Sequence, residues 1–246
     1  DFGKDVIPTL VRQGAAIYAY DFGSNTIGGE PKGEPYWRDV GTIDSYVQAN
    51  MDVRSRVPNL NLYNRQWRIR TAQRDYPPVR IVENLNRGPA RIRDSLICEG
   101  SIISSVRLEN SLIGYDCFVH ARAEVVDSIL LAGCDVGAGA HLHKVLMDKN
   151  VRVDPGARIG LDPQKDRERF PWITPNGWIT LPKGTHVPVD GPIELARDMV
   201  DVLRNDEEAE AELKAVPEGV RISDRRRHSY DSAGPRYKRL ADDSEG

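Results

Sequence analysis

The chain has 246 residues, 34 basic against 37 acidic side chains and a formal net charge of −3. That length allows one large or two modest domains with a real core, and the near-balance of charge excludes a global electrostatic pull toward nucleic acid or an acidic membrane surface. No stretch approaches the roughly 20 apolar residues of a membrane span. Cys98, Cys117 and Cys134 are far apart with no CxxC pair, so they read as small apolar core residues in a reducing, cytoplasmic compartment.

The opening DFGKDVIPTLVRQG places Ile7, Leu10 and Val11 on one helical face and ends at Gly14. The first residue is Asp1, and a domain that begins inside an element is expected to have lost its first part. Alternation through Ile17, Tyr18, Ala19 and Tyr20 predicts a strand over 15–22. A Gly/Pro-rich loop follows over 23–35. Beyond YWRDVGT, a helix capped near Thr42 is predicted, with Ile43, Tyr46, Val47 and Met51 at helical spacing, so Asp39 lies just before a helix N-terminus. From Val57 to Pro78 apolar and polar residues mix without a period, and Pro77-Pro78 marks a connection. Val79, Ile81 and Val82 begin another extended stretch, and RGPARIRDS leads into the second domain.

That second domain is repetitive. Asp94-Ser95-Leu96-Ile97, Asn110-Ser111-Leu112-Ile113 and Asp127-Ser128-Ile129-Leu130 echo one another, with His143-Lys144-Val145-Leu146 as a weaker copy. Their serine-equivalent positions 95, 111, 128 and 144 are spaced 16, 17 and 16. Aliphatic residues recur about every six: Ile113, Val119, Val125, Leu131, then Val136 and Leu142, then Met147, Val153 and Ile159. Three short faces per coil, each burying one aliphatic residue, make a triangular solenoid from about Arg91 to Asp162. Gly114, Gly133, Gly137 and Gly139 suit its corners. The pattern stops at Gly160. Short strand-like pieces occupy 172–189, a terminal helix is predicted over 193–203, and the charged remainder reads as a solvated tail.

The motif GEPYWRDVGTIDSYVQANMD, with DFGKDVIP before it and hexapeptide coils behind it, resembles ADP-glucose pyrophosphorylase (glucose-1-phosphate adenylyltransferase) over residues 1 to about 184. The resemblance implies an α/β remnant of a Rossmann-like nucleotidyltransferase domain (1–78), a left-handed parallel β-helix of hexapeptide repeats (79–184), and a C-terminal helix and tail (185–246). The family's GGxGxRL nucleotide loop, its first metal-binding aspartate and its FVEKP-type lysine have no counterpart in these residues.

The same resemblance makes Asp39 the second metal-binding, catalytic aspartate for Mg²⁺. It makes Trp37 a surface for a sugar ring, and Asp1 and Phe2 the glucose-contacting pair. Lys149 and Lys183 become ligands for a sugar-phosphate or nucleotide effector. ATP and glucose 1-phosphate are the implied substrates and a homotetramer the implied assembly. Plainer roles stand beside these: Asp39 as a helix-N-terminal carboxylate, Trp37 as core packing, Asp1 as a surface charge, and both lysines as solvated residues. Lys4, Lys32 and Arg38 are weaker phosphate candidates. Rival functions are a regulatory and oligomerisation module without catalysis, another sugar-nucleotide pyrophosphorylase, or an acyltransferase using His120, His141 or His143 as base.

Overall fold

A computed structural model describes residues 1–30, 36–72, 74–83, 88–196 and 220–223. The chain divides into two compact units: Asp1–Trp37 with Asn61–Thr71, and Arg38–Leu60 with Ala72–Gly246.

In the first unit a π-helical turn, Phe2–Val6, runs into α1 (Ile7–Arg12). Pro8 stands in its first turn, where the missing N–H costs nothing. Gly14 follows at φ +71. The strand expected over 15–22 does not form. Residues 15–21 carry no ladder and 22–24 make a 3₁₀ turn, because alternation makes a strand only where another strand pairs with it. Polar contacts organise this unit. Asn64 donates to Gly28 O and accepts from the Gln66 and Trp67 amides, and Asn61 donates to Glu30.

The second unit holds α2 (Ile43–Val53) and a parallel β-helix. One face stacks β1 (Arg80–Val82), β4 (Ile102–Ser104), β7 (Phe118–Val119), β10 (Asp135–Val136), β13 (Arg152–Val153) and β16 (His186–Val187). A second stacks β2 (Arg91–Arg93), β5 (Arg107–Glu109), β8 (Glu124–Val126), β11 (His141–His143) and β14 (Arg158–Ile159). The third stacks β3 (Leu96–Ile97), β6 (Leu112–Ile113), β9 (Ile129–Leu130), β12 (Val145–Met147) and β15 (Ile179–Leu181).

Register puts one aliphatic stripe inside each face: Ile103, Val119, Val136, Val153 and Val187; Leu108, Val125, Leu142 and Ile159; Ile113, Leu130, Met147 and Leu181. All are buried. Leu130 fills the position expected of Leu131, because the corner from the second face to the third is one residue shorter than a regular six. Leu131 is only partly buried and faces α2.

The serines form a ladder. Each hydroxyl donates to the carbonyl two residues back and accepts the amide of the coil above: Ser95 from Ser111, Ser111 from Ser128, Ser128 from Val145, at sequence separations of 16, 17 and 17. The fourth copy is therefore one residue out of the expected register. Val145 takes the serine position, and Lys144, at φ +53, matches the corner residues Asp94, Asn110 and Asp127. Gly137 meets a different demand, close approach: a Cβ there would lie 2.4 Å from Pro155 N in the next coil.

The solenoid does not end at Gly160. The charged stretch is an excursion carrying α3 (Pro163–Arg169), capped by Asp162 and tied down by buried Asp166, which accepts from the Gly160 and Asp162 amides. The coil resumes at β15. The helix expected over 193–203 is corrected where it is described: Glu194–Ala196 is a strand, β17, antiparallel to β16 and parallel to β18 (Arg221–Ser223). Ile193 and Leu195 are both buried, the period of a strand. Residues 197–203, and with them the acidic and RRRH runs of the tail, lie outside the described residues. Cys117 and Cys134 are buried as expected while Cys98 is half-buried, and none of the three is in a disulfide among the described residues. Burial pushes the Cys134 thiol well above its usual range, which keeps it protonated and inert.

Candidate functional site

Asp39 sits on the segment that enters α2. Its Oδ1 accepts from the Gly41 amide at 2.9 Å, and Oδ2 has no hydrogen-bond partner among the described residues. The carboxylate is exposed. Thr42 then closes a capping box, its hydroxyl accepting from the Ser45 amide while the Ser45 hydroxyl takes the Thr42 amide, so the helix begins where the sequence places it. Arg38 forms an ion pair with Asp52 at 2.6 Å, which commits a side chain weighed above as a phosphate ligand.

α2 lies across the outside of the third solenoid face. Outward positions of an exposed sheet are normally polar, yet here they are Leu112, Ile129 and Leu146. Val47, only 3% exposed, packs against Ile129 and Leu146, with Tyr46, Met51, Leu131 and Trp178 around them. Ile43, expected on the same helix face, stays exposed. Two polar anchors flank this contact. The Thr174 hydroxyl donates to Asp44 Oδ1 at 2.5 Å, and the Arg54 guanidinium donates to Asp94 O and Asn110 Oδ1, both at 3.1 Å. The sequence marked Asn110 only as a repeat corner and singled out none of Asp44, Arg54 or Thr174, and a pair separated by 130 residues leaves no local signal.

The remaining sugar-side candidates belong to the first unit. Asp1 Oδ1 accepts from the Lys4 amide at 2.8 Å and caps the opening turn. Phe2 is 76% exposed and Trp37 is 79% exposed, so neither is a core residue within this unit. Trp37 meets the Phe22 ring edge-on, centroids 5.7 Å apart. Lys32 lies outside the described residues.

Lys149 and Lys183 come together. Met147 pairs with Leu181, so each lysine stands two residues beyond an equivalent strand position, at the same corner of consecutive coils, and Gly184 N donates to Lys149 O at 2.9 Å. Two cations thus share one edge of the solenoid. The histidines of the acyltransferase alternative each face a carboxylate: His120 is 2.9 Å from Asp135, His141 3.8 Å from Glu124 and His143 3.4 Å from Asp127. Among the described residues no cluster of three or more His, Cys, Asp or Glu could hold a metal, and no helix is long and apolar enough to cross a membrane.

Two family models match the chain: "Nucleotidyl transferase" over residues 1–56 and "GlmU-like, C-terminal hexapeptide" over 77–181. The first span contains Asp1, Phe2, Trp37 and Asp39. Glucose-1-phosphate adenylyltransferase 1 of Vibrio vulnificus is 41% identical over 187 residues, 76% of this chain and 45% of that protein. Glucose-1-phosphate adenylyltransferase of Arthrobacter sp. is 41% identical over 197 residues, 80% of this chain and 42% of its own length. The Deinococcus deserti protein of that name is 38% identical over 183 residues, 74% of this chain and 44% of its own. The chain spans less than half the length of these relatives. It is homologous to the glucose-1-phosphate adenylyltransferases over about three quarters of its residues, joining a nucleotidyl transferase region to a hexapeptide β-helix.

Proposed function

We propose that these residues work within a glucose-1-phosphate adenylyltransferase, which converts ATP and glucose 1-phosphate to ADP-glucose and pyrophosphate. The observation that carries this is the identity of about 40% over three quarters of the chain, together with a nucleotidyl transferase match that spans all four proposed substrate and metal residues. A phosphate oxygen of glucose 1-phosphate attacks the α-phosphorus of ATP. The bond from that phosphorus to the bridging oxygen breaks, and pyrophosphate leaves with the electron pair. Because no covalent protein intermediate is needed, position and charge neutralisation do most of the catalysis.

Asp39 suits one ligand position for Mg²⁺: a hard oxygen donor, exposed, with one oxygen fixed by Gly41 and the other without a protein partner among the described residues. Asp39 would hold Mg²⁺ there, and the ion would supply neutralisation of the charge that collects between the two substrates. Trp37 and Phe2 offer exposed aromatic surfaces suited to a sugar ring, and Asp1 an acceptor for a glucose hydroxyl. ATP itself is assigned to no residue here.

Regulation belongs to the same proposal. Lys149 and Lys183, paired on one solenoid corner, suit the phosphate groups of a sugar-phosphate or nucleotide effector. Each is a point charge rather than a bidentate fork, so the effector is held by charge more than by shape. A cytoplasmic homotetramer is the assembly proposed. The direct test is pyrophosphate release by the whole protein with a matrix of nucleoside triphosphates and sugar 1-phosphates. ATP with glucose 1-phosphate should be preferred; preference for another base or sugar would assign the chain to a different pyrophosphorylase.

A further inference from the structure

The two flanks of Asp39 are both tied to α2. Arg38, on one side, pairs with Asp52 near the end of the helix, and Thr42, on the other, caps its beginning. The helix in turn is fastened to the solenoid at both ends and in the middle: Thr174 to Asp44, Val47 onto Ile129 and Leu146, Arg54 to Asn110 and Asp94 O. The segment carrying the carboxylate is therefore connected to the β-helix through α2. Thr174 is itself locked, since its oxygen also accepts the Trp178 amide at 3.1 Å.

We propose that Thr174 and Arg54 are positioning residues for Asp39, acting through α2, so that the solenoid sets the geometry of the metal-binding carboxylate. The inference rests on the role given to Asp39 above. Mg²⁺ demands near-ideal octahedral geometry, and a displacement of about 1 Å at a reacting group is enough to cost about a hundredfold in rate. Neither residue touches substrate or metal. A hydroxyl-to-carboxylate bond made by a part-buried pair is the strong kind, and its loss frees the first turn of α2, where Gly41 and Thr42 hold the segment carrying Asp39.

The test uses the whole protein and Mn²⁺ as probe, with binding followed by electron paramagnetic resonance and amide hydrogen exchange measured across 38–46. Asp39→Asn should weaken Mn²⁺ binding at least about tenfold. Thr174→Val should weaken it roughly three- to tenfold and speed exchange at Gly41 and Ser45, while Thr174→Ser restores both. Arg54→Met, which releases the other end, should do the same and serves if Thr174→Val fails to fold. Wild-type Mn²⁺ affinity and exchange in either folded variant, with Asp39→Asn still impaired, would overturn the positioning role and leave Asp39 standing. Unchanged Mn²⁺ affinity in Asp39→Asn would remove the role of Asp39, and this proposal with it.

Discussion

Single residues at the solenoid corners are chosen by backbone demands. Asp94, Asn110 and Asp127 occupy left-handed φ, which short polar side chains tolerate better than most. Lys144 takes the same conformation without that advantage, and Val145 after it ends the serine ladder. Gly137 is constrained by close approach, because its missing Cβ leaves room for the Asp154-Pro155 backbone of the next coil. Gly137→Ala should destabilise the protein by about 1–3 kcal/mol or more, as overpacking of a close-packed interior does. Urea unfolding measures it. A midpoint equal to wild type would mean that the coils can part locally.

At the same scale the sequence was informative only where a residue type has one use. Asp-Ser and Asn-Ser before paired aliphatics marked three corners directly. His143-Lys144 did not, because neither residue resembles the ones it replaces, and the register slipped by one. Asp39 was legible through its motif and through Thr42, whose cap is a local event. The Thr174–Asp44 bond was not, since nothing in a short window relates two residues so distant along the chain.

Elements were readable in proportion to how much their pattern depends on their own residues. α2 formed as expected from its cap and apolar face. The stretch over 15–22 alternated like a strand but found no ladder, and 193–196 looked helical yet paired with β16. Both outcomes were decided by neighbours rather than by local propensity. The doubled aliphatics Leu112-Ile113, Ile129-Leu130 and Leu146-Met147 place one apolar residue inward and one outward. A solenoid face needs one inward apolar residue, and a second one outward means that the face is covered, here by α2. Ile129→Ala should therefore cost about 2–5 kcal/mol, the range for a buried large-to-small change. Thermal unfolding would show it, and a loss under about 0.5 kcal/mol, typical of surface positions, would mean that α2 does not bury this face.

Across the whole molecule, the β-helix supplies one continuous core of three aliphatic stripes, which stack on nearest neighbours and so remain regular past the α3 excursion. Two functions are proposed for it, an effector edge and a frame for α2. The edge is tested by changing Lys149 and Lys183 together to Ala. Response to phosphorylated effectors should be lost while the rate without effector stays within about twofold, a small change by the tenfold-per-1.4 kcal/mol scale; retained activation would move the effector elsewhere.

Asp39, on the segment that enters α2, is proposed to serve adenylyl transfer to glucose 1-phosphate. The most direct measurement is kcat for ADP-glucose formation by the whole protein with Asp39→Asn, beside its unfolding midpoint. A fall of at least roughly a hundredfold with the midpoint unchanged is expected for loss of a metal-binding carboxylate. A rate within about twofold of wild type, well under 1 kcal/mol of barrier, would contradict the account.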